Sequence, residues 1–317
     1  MRALTIDESG LKLRRDYPKP DRADGESLVR VTMAGICGTD LELARGYMGY
    51  RGVPGHEFVG IVEQSGSPGL VGQRVVGEIN AACGRCDFCR TDFGRHCPNR
   101  TVLGILGRDG AFADYLALPD RNLLFVPDSV PDEVAAFTEP VAAAYEIFEQ
   151  VDFATSDKIL VLGDGRLGAV VALVLYAAGL NPVVAGHHRI KLDRLSALGL
   201  KVELEEKLKP AFDCVVDCTG GPQGFLRSVE LVRPRGKLIL KSTAAGNHAL
   251  NLAPVVINEL TVVGSRCGRF EPALKALADG TVDPRPLVSG RYPFDDALAA
   301  FASARDSSNF KCLLQIA

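Results

Sequence analysis

The sequence carries little excess charge of either sign. Its 36 Lys and Arg nearly balance 39 Asp and Glu, for a net charge of −3 and a pI near 6.0. That balance gives no reason to expect nucleic acid or an anionic membrane as a partner. Long apolar runs are also missing. Residues 169–180 are too short to span a bilayer and read as a core helix. The opening MRALTIDESG lacks the basic-then-apolar signature of a secretory signal. There is no internal repeat, low-complexity tract or long linker. Cysteine, by contrast, is plentiful. Nine cysteines without a secretory signal point to a reducing, cytoplasmic setting and to metal ligation. With 317 residues, 47% of them hydrophobic, the chain has room for two globular domains of ordinary size.

Four of the cysteines stand close together. Cys83, Cys86, Cys89 and Cys97 have the spacing C-x2-C-x2-C-x7-C. Four thiolates on one short lobe can close a tetrahedron around Zn²⁺, the arrangement of a structural zinc site. Gly84, Arg85, Asp87 and Phe88 between them supply a turn-prone, mostly polar backbone. A chance set of buried or disulfide-bonded cysteines would not need this spacing. Cys214, Cys218, Cys267 and Cys312 lie in apolar, strand-like contexts and read as small core residues.

The texture changes along the chain. Short alternating runs at 27–33, 58–63 and 73–76, broken by Gly and Pro, predict a compact β domain. From about Pro140, strands and helices alternate. Strands are expected at 158–162, 182–185, 212–218, 237–241 and 260–263, with helices at 165–178, 189–198 and 223–232. That rhythm implies right-handed βαβ units and a parallel sheet, so the chain is α/β with a doubly wound second domain. Residues 266–317 abandon the rhythm and are expected to return to the first domain. The regions 65–73 and 199–211 look trimmed.

Gly163-Asp-Gly165-Arg166-Leu167-Gly168 follows the first of these strands and opens a helix. In that context G-x-G-x-x-G is a dinucleotide-binding turn. Gly163 makes the turn, Gly165 admits a pyrophosphate, Gly168 lets helix and strand approach, and the helix N-terminus offers free N–H groups. NAD enzymes usually place an acid at the end of the second strand. Here Gly186 stands there, followed by His187, His188 and Arg189, which suit the 2′-phosphate of NADP better than the bare ribose of NAD. Thr219, and the segment Leu240-Lys241-Ser242, fall at carboxyl ends of strands, the edge that lines a cofactor crevice.

Further motifs stand in a fixed order: Gly35-Ile-Cys37-Gly-Thr39-Asp40, Pro54-Gly55-His56-Glu57-Phe-Val-Gly60, the four-cysteine lobe, Gly110-Ala-Phe-Ala-Asp-Tyr115, Thr138-Glu139-Pro140 and the glycine loop. Together they resemble the zinc-dependent medium-chain dehydrogenase/reductase superfamily, the alcohol and polyol dehydrogenases, over essentially the whole chain. The resemblance implies a GroES-like catalytic domain at 1–139, a Rossmann domain at 140–264 and a C-terminal segment at 265–317. It implies one catalytic and one structural zinc per chain, NADP or NAD, a small alcohol or carbonyl substrate, and a homodimer or homotetramer. It assigns Cys37, His56 and Glu139 as catalytic zinc ligands, leaving a fourth position open. Glu57 is either an alternate ligand exchanging with water or a carboxylate behind the ligands. Asp40 orients His56. Thr39 matches the hydroxyl of a proton relay, with Glu42 where many relatives have a histidine. Lys311 stands where relatives contact cofactor phosphate, and the segment 47–51, with two tyrosines and Arg51, is expected to border the substrate pocket.

The activity so implied is hydride transfer between an alcohol or polyol, or its ketone or aldehyde, and a nicotinamide cofactor, with zinc as Lewis acid. Two other functions compete. A zinc-independent enone or quinone reductase on the same fold has no need of Cys37, His56, Glu139 or the cysteine lobe. A non-catalytic dinucleotide-binding protein has no need of an intact ligand set. Fold alone decides between none of them.

Overall fold

A computed structural model describes residues 1–91, 93–243 and 249–317. The first β-rich part folds around one long strand, Glu26–Gly35, with Val29, Val31 and Ala34 fully buried. It pairs antiparallel along most of its length with Glu57–Ser65. On its other side it has two partners in turn. Tyr115–Pro119 covers residues 26–30, and Lys311–Gln315 covers residues 33–35. Arg74–Gly77 and Leu123–Phe125 extend the sheet at one edge and Val288–Pro293 at the other, giving seven strands. The two strands supplied by residues beyond 266 therefore lie in the same sheet as Glu26–Gly35 and Glu57–Ser65.

The second sheet has six strands, all parallel. Its spatial order is Lys201–Leu204, Val183–Gly186, Ile159–Leu162, Phe212–Asp217, Val232–Leu240, Thr261–Gly264. In chain order that is 3-2-1-4-5-6, the doubly wound arrangement whose crevice opens where the order reverses, beside Ile159–Leu162 and Phe212–Asp217. The run Ile-Leu-Val-Leu of the first strand is buried on both faces, as a central parallel strand must be. Lys201–Leu204 is a strand that the alternation did not reveal. Its sequence KVEL is short, mixed in polarity and only partly buried, because it lies at the sheet's edge. The fifth strand begins at Val232, directly after helix Pro222–Leu231, and so starts earlier than its apolar stretch suggests.

Helix Thr138–Gln150 runs from one sheet to the other. It packs on Arg166–Ala177 and on Phe270–Ala278, and the apolar core is continuous through it. Among the described residues no helix is long and apolar enough to cross a membrane.

Candidate active site

The long central strand ends at Gly35. Two residues later Cys37 caps the short helix Gly38–Leu43. Asp40, in the first turn of that helix and fully buried, organises the neighbourhood. Its carboxylate accepts the backbone N–H of Cys37 at 2.8 Å and that of Gly55 at 3.1 Å. It also lies 3.2 Å from Nδ1 of His56, an ionic contact too poorly aligned to be a hydrogen bond. One carboxylate thus fixes the loop carrying Cys37 against the loop carrying His56. The result is a compact donor set. Sγ of Cys37, a ring nitrogen of His56 and a carboxylate oxygen of Glu57 lie within 4.8 Å of one another.

These three groups fit a zinc ion. A thiolate, an imidazole and a carboxylate are zinc donors, and three of them leave a coordination position open. Oε1 of Glu57 is buried with no hydrogen-bond partner, a costly condition that a metal would relieve. Burial works against a charged His56. Asp40 and Cys37 overcome that and hold its pKa well above the ordinary imidazole value. The pocket favours a cation in this position, whether proton or metal.

Glu139 does not join the trio. It sits in the first turn of Thr138–Gln150, within electrostatic reach of His56 and Glu57 but outside the cluster of donor atoms. Burial pushes its carboxyl up to about 7. Glu57 adds to that push, and His56, Lys311 and Lys241 oppose it. The carboxylate grouped with Cys37 and His56 is Glu57, because it follows His56 directly into strand Glu57–Ser65.

Lys311 also departs from expectation. Expected at a cofactor phosphate, it is instead buried with its ammonium paired to Glu57, both side chains at most 3% exposed. The reason is topological: strand Lys311–Gln315 is inserted beside Glu26–Gly35 and faces the trio. The hydroxyl of Thr39 lies 3.9 Å from Cys37 Sγ. Glu42, one turn on, is half exposed and bonded to Arg45 at 2.6 Å. Tyr50 donates its buried hydroxyl to Val53 O, so it holds its loop rather than projecting freely, while Arg51 and Met48 line a groove of 490 Å³ beside it.

The four lobe cysteines carry no disulfide. Cys86 lies 3.4 Å from Cys89 and 3.6 Å from Cys97, and Cys83 lies 3.8 Å from Cys89. Four sulfurs about 2.3 Å from a central zinc stand about 3.8 Å apart at the corners of a tetrahedron. The lobe is therefore shaped for that ion. It is docked onto the helix that carries Glu139. Arg95 pairs with Glu146 at 3.0 Å, and Arg266 donates to the Arg95 carbonyl at 2.9 Å.

The glycine loop forms the crevice of the second sheet. Gly163 has φ +115, and its N–H donates to Ala185 O at 2.7 Å. A Cβ at Gly168 would collide with the Gly163 carbonyl, whereas one at Gly165 would enter open space. That opening, at the N-terminus of helix Arg166–Ala177, is the cradle a pyrophosphate needs. Arg166 has a buried Nε without a partner, and Leu167 packs against the core. Thr219 is exposed, and its hydroxyl donates to Asp217 Oδ1 at 2.7 Å.

The three residues after Gly186 take different paths. His187 is exposed and paired with Glu205 at 2.9 Å, and Arg189 folds along its helix to Asp193 at 2.9 Å. His188 is held by Asp164. Sequence reasoning missed Asp164 and placed Lys241 only at a strand end beside the crevice. Lys241 donates to Ser265 Oγ at 3.1 Å, to Arg266 O at 2.9 Å and to Ala143 O, tying the fifth strand to the cleft helix. Burial pulls its pKa down to about 8. An acid inside the glycine loop was a visible signal. Lys241 gave none beyond its place at a strand end.

Comparison with known proteins supports the same picture. Residues 23–128 match the alcohol dehydrogenase GroES-like domain and residues 167–279 the zinc-binding dehydrogenase domain. An L-threonine 3-dehydrogenase of Chelativorans sp. (strain BNC1) is 32% identical over 333 residues, covering 97% of this chain and 96% of that one. The alcohol dehydrogenase TADH of Thermus sp. ATN1 superposes with a TM-score of 0.90 at 27% identity, over 100% of both chains. A short chain alcohol dehydrogenase, rspB, of Escherichia coli CFT073, complexed with NADH, gives 0.89 at 25% identity, over 100% of this chain and 99% of that one.

Proposed function

Because the chain belongs to the zinc-binding alcohol dehydrogenase family, with its GroES-like and Rossmann domains, we propose that it oxidises a small polar secondary alcohol, a polyol or a hydroxy amino acid, at a zinc centre held by Cys37, His56 and Glu57. Glu139 is the carboxylate that exchanges into this centre from the facing helix. One observation carries the reading: a half-buried thiol converges with a buried imidazole and a buried carboxylate, one oxygen of which has no partner. A zinc-independent reductase would leave that oxygen buried for nothing. The relatives named for threonine and the polar residues near the cleft support the substrate class.

When bound, zinc supplies Lewis acidity to the substrate hydroxyl and the nicotinamide accepts the hydride. The chain's residues do the rest. Asp40 fixes the orientation of His56 and the loop of Cys37. Lys311 neutralises Glu57 while the latter is not a ligand. Thr39 Oγ1 accepts the hydroxyl proton as it passes its own outward, and Glu42 stands at the outer end of the path by which that proton reaches solvent. Gly163, Gly165, Arg166 and Gly168 seat the pyrophosphate. In this reading residues 1–139 and 265–317 form the catalytic unit and 140–264 the cofactor unit.

The same reading extends to the cell. Nine free cysteines support a reducing, cytoplasmic location, and the balanced charge supports neither nucleic acid nor membrane as partner. A homodimer or homotetramer forms through the edge strand Thr261–Gly264 and the preceding helix Ala253–Ile257, where Val262 of the strand and Val256 and Ile257 of the helix are uncovered. A monomeric mass in solution would overturn that assembly.

The test is nicotinamide absorbance with a panel of L-threonine, polyols, sugars and simple alcohols, with NAD⁺ and with NADP⁺, before and after zinc chelation. Chelator-sensitive reduction of a cofactor is the expected result. Turnover indifferent to chelation would overturn the zinc centre. A second prediction isolates Asp40. Asp40→Asn should weaken zinc binding at the catalytic site by about 10–100-fold, as loss of the partner behind a metal-ligating histidine usually does. Competition with a chromogenic chelator measures it, and an unchanged affinity would remove Asp40 from the centre.

A further inference from the structure

The acid that NAD enzymes place at the end of the second strand is absent, yet its position is not empty of charge. A Cβ at Gly186 would run into the side chain of Asp164. Asp164 comes from inside the glycine loop, between Gly163 and Gly165, and its side chain is only 7% exposed. Both of its oxygens are in use. Oδ2 accepts the backbone N–H of His188 at 2.7 Å, and Oδ1 meets His188 Nδ1 at 2.9 Å. A carboxylate only accepts, so Nδ1 carries the proton in this bond. Nε2 is then the ring's outward atom. The His188 side chain is 42% exposed, and among the described residues nothing else bonds to it. His187 and Arg189, the neighbouring side chains, are drawn off by Glu205 and Asp193. Two further cations stand near Asp164. Lys191 is almost fully buried and lies within electrostatic reach of both Asp164 and Arg166.

We propose that Asp164 is the positioning residue for cofactor choice: it fixes His188 so that Nε2 meets the adenosine ribose, where the ring takes up a second proton beside a 2′-phosphate and donates Nε2–H to it, and so favours NADP over NAD. The inference rests on the dinucleotide reading of the crevice and adds the residue that discriminates within it. The physical logic is specific to this arrangement. An acid free at the end of the second strand would bind the ribose diol and repel a 2′-phosphate. Here the acid is spent on an imidazole, and the group that faces the ribose becomes a donor, and positively charged, when the ring takes its second proton. Arg166 and Lys191 add to the field that welcomes an anion.

The test uses two fragments that contain the ribose site but no nicotinamide, 2′,5′-ADP and 5′-AMP, titrated calorimetrically into the full-length protein. The wild type should bind 2′,5′-ADP at least about tenfold more tightly, the scale of one charge-assisted hydrogen bond. Asp164→Asn and His188→Ala should each remove about that factor for 2′,5′-ADP and leave 5′-AMP within about twofold. The double variant should lose no more than either single one, because both act through the same contact. Asp164 is buried, so a general loosening of the loop is the alternative. It would weaken both fragments in parallel and overturn the assignment, and the half-exposed His188 provides a variant that does not disturb the buried acid. If the wild type binds 5′-AMP as tightly as 2′,5′-ADP, this assignment falls and the dinucleotide reading stands. If it binds neither, both fall.

Discussion

His56→Ala is expected to lower turnover by about a thousandfold or more while leaving the protein folded. The size follows from the chemistry. A Lewis acid at the reacting hydroxyl is worth several kcal/mol in the transition state, and each 1.36 kcal/mol is about tenfold in rate. His56 is the one imidazole of the trio, and Asp40 and Glu57 on either side of it would be left as buried acids facing an emptied position. The variant should therefore lose catalytic-site zinc but keep lobe zinc, which metal analysis beside the kinetic assay would reveal. Turnover within tenfold of the wild type would sink the trio as the catalytic centre. Loss of both metals would mean that the two sites do not fold independently.

Cys89→Ser should do the opposite, costing stability first. Metal binding at a closed four-thiolate site is coupled to folding and releases many kcal/mol, so removing one thiolate should lower the melting temperature by about 10 °C or more. The loss should spread beyond the lobe. Arg95 links it to Glu146 on the helix that presents Glu139, and Arg266 links it to the segment following the last parallel strand. Activity near the melting range should fall with stability, and calorimetry with and without added zinc measures the effect. An unchanged melting temperature would show that the lobe does not need its metal.

What the sequence disclosed was local. The glycine loop and the cysteine lobe are short, and their chemistry depends on spacing along the chain, so both motifs were legible, although the part played by Asp164 inside the loop was not. The parallel strands of the second sheet followed from alternating strand and helix, apart from Lys201–Leu204, whose edge position gives it too little apolar patterning to be seen. Pairings between distant residues were not legible. Nothing in the sequence joins Lys311 to Glu57, 254 residues away, or sets Asp40 beneath Gly55. The choice between Glu57 and Glu139 was equally hidden, because it depends on the distance between a strand and a facing helix. His187, His188 and Arg189 read as one basic cluster, and only the positions of Glu205, Asp164 and Asp193 show that each has its own partner.

The insertion of Lys311–Gln315 beside the central strand bears on how the protein is made. Synthesis proceeds from the N-terminus, and domains generally fold as they emerge. Cys37, His56 and Glu57 leave the ribosome early, but the far end of Glu26–Gly35 has no neighbour on one side until Lys311–Gln315 has been translated. Until then Glu57 lacks its ammonium counterion. The nascent chain can fold its parallel sheet while the ribosome is still at work, yet the metal centre closes only once the last strand is free of the exit tunnel.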